Sequence, residues 1–168
     1  EAMYSGVFYD RYIRGLWVQA EGRVYDMFDK ASHVVTQADR PYTAWYISMD
    51  YGTQNPTAMQ LWGKYGGVWY LENEYYYSGR ESKRQKTDEE YYAELEKLVG
   101  GRHIKAIIID PSAASMIACI KKHGKYTVLQ ADNTVLDGIR NTANALNAGH
   151  IKLCENCNHT IKEMESYV

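Results

Sequence analysis

The sequence predicts a mixed α/β domain, a central sheet with helices on both faces. Two apolar strand patterns, "AWYISMD" and "IKAIIID", each end on an aspartate, and a diglycine lies between the aromatic runs of "QLWGKYGGVWYLENEYYY". Beyond that hairpin signal, helical and extended patterns alternate to the end of the chain. The resulting order is βββ-α-β-α-β-α-β-α. Hairpin-linked strands pair antiparallel, and strands joined through helices pair parallel, so the sheet is mixed.

The elements follow in chain order. Tyr9, Tyr12, Ile13, Leu16, Trp17 and Ala20 fall at helical spacing with Gly22 as the stop, which predicts an amphipathic helix lying on a neighbour. "RVYDMFDKASHVVTQADRP" reads as a connector with some extended pairing, and Pro41 marks the start of the main sheet. Residues 1–40 are therefore assigned as a linker and 41–168 as the main domain.

"YTAWYISMDYG" is the first strand of that domain, and Gly66-Gly67 joins the next two in a hairpin. The charged "RESKRQKTDEE" leads into the helix "YYAELEKLVG", with Thr87 as N-cap, Glu90 in the capping-box position and Gly100-Gly101 at the close. "IKAIIID" is a strand, and "PSAASMIACIKKHG" a helix opened by Pro and Ser and ended by Gly124. "YTVLQA", "TVLDGIRNTANALNAG", "HIKL" and "NHTIKEMESYV" complete the alternation as strand, helix, strand and helix.

A length of 168 residues suffices for one core, and no apolar run is long enough to span a membrane. The formal net charge of −2 means that a polyanion must be met by a local basic patch, not by the field of the whole molecule. The chain lacks a starting Met and stops at "EMESYV" without a cap signal, so it reads as a piece of a longer protein. Three cysteines and no secretion signal favour a reducing compartment. His150, Cys154, Cys157 and His159 superficially resemble a zinc knuckle but lack its paired spacing, and buried structural cysteines are the simpler reading.

Asp50 and Asp110 carry the functional expectation. If the first strand and the strand after the first helix lie side by side, two carboxylates meet at neighbouring strand ends, where their repulsion is relieved by a shared proton or a divalent cation. Oxygen ligands without histidine suit Mg²⁺ or Mn²⁺. Either aspartate alone is readily explained as a turn residue. Both together, each ending an apolar strand, point to a site.

"DYG" with a following Asn-Pro, "IIIDPSAAS", "DGIRNTANAL" and "CNHTIKEMESYV", in this order, resemble the nuclease domain of tailed-bacteriophage terminase large subunits, which has a ribonuclease-H-like fold. "GVFYDRYIRGLWVQAEGRVYDMFD" resembles the segment by which that family's packaging ATPase domain joins the nuclease. The resemblance implies a metal-dependent endonuclease that cuts concatemeric double-stranded DNA during genome packaging. It implies two Mg²⁺ or Mn²⁺ ions, with Asp50 bridging them, Asp110 holding one, and a third acid beyond Val168 holding the other. It also implies the motor ATPase domain, the small terminase subunit and the portal protein as partners, no membrane, and the host cytoplasm as location. No Walker A motif is present. Two cations about 4 Å apart activate water, neutralise the phosphate and stabilise the leaving oxygen.

For DNA, Arg80, Lys83, Arg84 and Lys86 form the densest basic run, with Lys121, Lys122 and Lys125 a second one at a helix end. A solvated loop and dipole-facing lysines are the alternatives. The stretch "QADNT" is not basic, and its Asp132 can approach the metal site instead. The many tyrosines fall in strand and helix patterns where packing accounts for them. Three other readings stay open: a non-catalytic module docking on DNA or portal, an actin- or sugar-kinase-like ATPase in which "DYGT" holds phosphate, and a resolvase-type polynucleotidyl transferase on fold grounds alone. The second calls for glycine where "IDPSAAS" has Ala and Ser.

Overall fold

The computed structural model describes residues 23–132 and 134–167. The helix expected over Tyr9 to Ala20 lies outside the described residues. Seven strands form one mixed sheet: β1 (Val34–Val35), β2 (Ala44–Asp50), β3 (Thr57–Tyr65), β4 (Val68–Tyr77), β5 (Ile104–Ile109), β6 (Val128–Gln130) and β7 (Ile151–Cys154). The helices are α1 (Lys30–His33), α2 (Gly79–Ser82), α3 (Asp88–Val99), α4 (Ala114–His123), α5 (Val135–Asn147) and α6 (Asn158–Ser166). The strand order is β1-β7-β4-β3-β2-β5-β6. β2, β3 and β4 pair antiparallel, while β2 with β5, β5 with β6, β4 with β7 and β1 with β7 pair parallel.

The expected element order holds, with α1 and β1 added ahead of it and the one-turn helix α2 added in the charged stretch before α3. The connector contains α1 and then β1, which joins the sheet through Val34↔Leu153 and Val35↔Cys154, so the sheet begins before Pro41. A two-residue strand leaves too short an alternation to read from sequence. The diglycine turn forms as expected, with φ of 58° at Gly66 and 75° at Gly67, both in the left-handed region that a two-residue hairpin favours. α3 carries the complete capping box, Thr87 accepting from the Glu90 N–H and Glu90 accepting from the Thr87 N–H, a device that contributes about 1 kcal/mol.

Strand alternation divides the core into two layers. Ile47 and Met49 of β2, Met59 and Leu61 of β3, and Ile107 and Ile109 of β5 face α3 and α4, where they meet Leu95, Val99, Met116 and Ile120. On the other face Leu71, Leu153, Cys154 and Cys157 pack with Phe28, Leu146 and Ile161. Full burial of an Ile, Leu or Met side chain stabilises by about 1.5–3 kcal/mol, so these stacks fix β2 and β5 side by side at the depth where both strands end.

Candidate active site

β2 and β5 run in register through Ser48↔Ile108 and Met49↔Ile109, so Asp50 and Asp110 stand at the next position along the two strands. Adjacent strands lie about 4.8 Å apart. Since Met49 and Ile109 point into the α3/α4 core, the following residues point to the opposite face, the one covered by α6. Asp50 is exposed there and lines a cleft of about 620 Å³ with Gln60, Thr160, Glu163, Tyr25 and Tyr167. Asp110 is half-buried, and its Oδ1 accepts from the Ser112 N–H at 2.7 Å, which leads the chain into α4.

The turn after Asp50 is equally determined. A Cβ at Gly52 would stand 2.1 Å from the Asn55 carbonyl oxygen, so only glycine permits the close return of the chain. The Gly52 N–H donates to Thr57 Oγ1 at 3.0 Å, and that hydroxyl donates to the Gly52 carbonyl at 3.2 Å. Gly52 thus serves the turn that returns the chain to β3, where a phosphate loop would use it to approach a ligand. Tyr51 faces the other layer, its hydroxyl donating to Asp88 at the start of α3.

Beneath Asp50 runs a chain of hydrogen bonds. Trp62 Nε1 donates to Ser48 Oγ at 3.0 Å, Ser48 donates to Gln60 Oε1 at 3.0 Å, and Gln60 Nε2 donates to Thr160 Oγ1 at 2.8 Å. Thr160 Oγ1 donates in turn to Glu74 at 2.7 Å. Glu74 also accepts from the backbone N–H of His159 at 2.7 Å and of Thr160 at 3.0 Å, so a carboxylate from β4 caps the first turn of α6. The helix's own N-cap does not, since Cys157 makes no side-chain bond to it. The capped helix presents the exposed carboxylate of Glu163 to the cleft that Asp50 lines.

Glu163 is the residue that sequence reading missed. It sits in "IKEMES" with no strand end to mark it, and its only sequence signal is a position on the polar side of an amphipathic helix. Asp132, by contrast, flanks the site at the end of β6, next to β5, where Oδ1 accepts from the Thr134 N–H at 3.0 Å and hydroxyl at 2.7 Å. Those bonds hold its carboxyl below the usual range.

The expected basic run lies at the same end of the sheet, because Tyr77 pairs with Thr57 while Asp50 pairs with Ala58. Its members differ. Arg80 and Lys83 are exposed, whereas Arg84 pairs with Glu90 at 2.7 Å and Lys86 is packed over Tyr75 and Tyr77 and paired with Glu94 at 3.6 Å. In the second run Lys125 pairs with Glu96 at 2.8 Å. The His/Cys cluster is not brought together: Cys154 and Cys157 are buried around Leu71, with Cys157 Sγ 3.5 Å from the Leu71 carbonyl, and His159 stacks on Tyr76. Burial raises both thiols, Cys154 to about 11 and Cys157 to about 12.

Asp50 lines a cleft with no imidazole or thiol among its described lining residues, and Asp110 follows the end of the adjacent strand; carboxylate oxygens are the donor type that suits a hard divalent cation.

No family profile and no curated protein sequence matches the chain. Solved structures do. The large terminase of a thermophilic bacteriophage, solved in complex with ADP, is 54% identical over 99% of this chain, with a TM-score of 0.89. The chain spans 42% of that protein's length. The P22 large terminase nuclease domain matches with a TM-score of 0.69 at 14% identity, over 88% of this chain and 79% of that one. The large terminase nuclease of thermophilic phage G20c, solved with bound cobalt, matches with a TM-score of 0.59 at 15% identity, over 87% and 80%. The latter two share the fold, a ribonuclease-H-like sheet.

Proposed function

The chain belongs to the large-terminase family of bacteriophages, and we propose that it is the part that cleaves concatemeric double-stranded DNA by metal-dependent phosphodiester hydrolysis. One observation carries this reading: two aspartates stand at the same register level at the ends of adjacent parallel strands, and one of them, Asp50, lines an open cleft. A cleft lined by the carboxylate of Asp50, with Asp110 following the end of the adjacent strand, is suited to hold divalent cations against a phosphate, and the G20c relative was solved with cobalt.

Asp50, the more exposed of the two, and Asp110 are the residues that would hold the metal. Mg²⁺ or Mn²⁺ when bound supplies a nucleophilic water at neutral pH and charge neutralisation on the phosphate and its leaving oxygen. Ser112, through its N–H, orients the Asp110 carboxylate. Glu163 adds negative charge on the facing wall, where it can accept a proton from a water directed at the phosphate. Arg80 and Lys83 are assigned to backbone phosphates. The motor ATPase domain, small terminase subunit and portal are the proposed partners of the whole protein, working in the host cytoplasm; of residues 1–40, those ahead of Phe28, which is already in the core, are the proposed link to the motor.

The test is incubation of supercoiled plasmid with this chain, and with a polypeptide of the relatives' full length, in Mn²⁺, Mg²⁺ or EDTA. Metal-dependent nicking or linearisation that disappears in Asp50→Asn supports the assignment. Absence of cleavage by both polypeptides, with DNA or portal binding retained, leaves the docking module instead.

A further inference from the structure

On the layer opposite the aspartate pair, α3 and α4 bring together a second set of metal-ligating atoms. Cys119 and His123 are four residues apart on α4, so they share one face of the helix, and Glu89 faces them from the first turn of α3. His123 Nε2 is 2.8 Å from Glu89 Oε2, Cys119 Sγ is 3.5 Å from Glu89 Oε1, and one ligand atom from each residue lies within 4.8 Å of the others. In a tetrahedral zinc site the edges between N, O and S ligands are about 3.3–3.6 Å, so small side-chain rotations suffice.

We propose that Glu89, Cys119 and His123 form a binding site for one Zn²⁺-class transition ion, with water completing the coordination on the exposed side. One sulfur, one imidazole nitrogen and one carboxylate oxygen make a borderline donor set that selects Zn²⁺ or Co²⁺ over Mg²⁺, which distinguishes it chemically from the oxygen-only pair at Asp50 and Asp110. The ligands are partly preorganised: Cys119 is buried, and the His123 ring stacks on Tyr92 at 3.7 Å with an interplanar angle of 4°. Binding transfers the Cys119 thiol proton to solvent and forms the metal–sulfur bond, while His123 coordinates through Nε2 with its remaining ring proton on Nδ1.

The consequence is a clamp between α3 and α4 one residue from Asp88, the acceptor of the Tyr51 hydroxyl next to Asp50. The site is therefore placed to stiffen the layer behind the proposed active site without entering it.

The experiment is a Co²⁺ titration of the reduced chain followed by absorption. The expected result is a thiolate-to-cobalt charge-transfer band with intense tetrahedral d–d bands, saturating at a single equivalent and erased by Zn²⁺. The band is expected to vanish in Cys119→Ser and His123→Gln, both checked for folding by circular dichroism, and to persist in Asp50→Asn. No charge-transfer band in the wild type, or a band that survives Cys119→Ser, overturns the proposal; the latter outcome assigns the thiolate to Cys154 or Cys157.

Discussion

The side-chain amide of Gln60 donates to the Thr160 hydroxyl at 2.8 Å, bonding the strand beside Asp50 directly to the helix that carries Glu163. Thr160 is buried, and its hydroxyl also donates to Glu74, so one side chain joins β3, β4 and α6 under the cleft floor. The wall and the floor of the site are thereby set by one polar chain.

Thr160→Val keeps the shape of that residue and removes both hydrogen bonds. The buried partners left behind cost about 1–3 kcal/mol, to be read as a lower urea midpoint. Thr160→Ser, which restores the hydroxyl, is expected to recover most of the loss.

Glu163→Gln removes charge from the cleft wall while keeping volume. Metal-dependent cleavage is expected to fall about 10–100-fold, with the melting temperature unchanged because Glu163 is exposed. A plasmid-nicking time course at fixed Mn²⁺ measures it.

The basic run separates into two kinds of residue. Arg80→Ala and Lys83→Ala each are expected to lower the slope of log K against log salt for DNA by about 1. Lys86→Ala is expected to act on stability instead, because its ammonium hydrogen-bonds the Tyr75 hydroxyl at 2.9 Å and lies over the Tyr77 ring. Fluorescence anisotropy across a salt series and thermal melting distinguish the two.

Acid weakens the carboxylate hydrogen bonds of α3. Hydrogen bonds from His123 lower the Glu89 carboxyl, and those from Arg84 and the Thr87 N–H lower Glu90. Carboxyls whose folded-state pKa is depressed contribute stability that is complete above their unfolded value, 4.5, and is lost as pH falls through the lower folded value. Melting temperature is therefore expected to hold down to about pH 5 and fall below it, and less steeply in Glu90→Gln.

Gly52→Ala places a methyl against the Asn55 carbonyl and is expected to cost about 1–3 kcal/mol while weakening metal binding, since it disturbs the turn that follows Asp50. Differential scanning calorimetry and Mn²⁺ titration of the same sample read both effects.

The strands, the capped helices and the two aspartates were legible because their signals are local: apolar runs, Thr87 with Glu90, Gly100 and Gly124 at helix ends. β1 was not, because it pairs with β7 more than a hundred residues away and is too short to show a period. Glu163 and the Glu74 cap of α6 were also invisible, since each acquires its role only when β3, β4 and α6 are packed together. The basic run was read as a unit because sequence shows charge but not partners, and Arg84 and Lys86 find theirs on α3. Cys119 and His123 show helical spacing, but Glu89 joins them only through the packing of α3 against α4.

Whether Asp50 and Asp110 form one cation site is decided by isothermal titration of Mn²⁺ into the wild-type chain, Asp50→Asn and Asp110→Asn, with melting curves in EDTA to verify the fold. Binding to the wild type that is lost in both variants is expected, each variant remaining within about 1 kcal/mol of the wild type in stability. Mn²⁺ binding that persists undiminished in both variants would contradict a shared site.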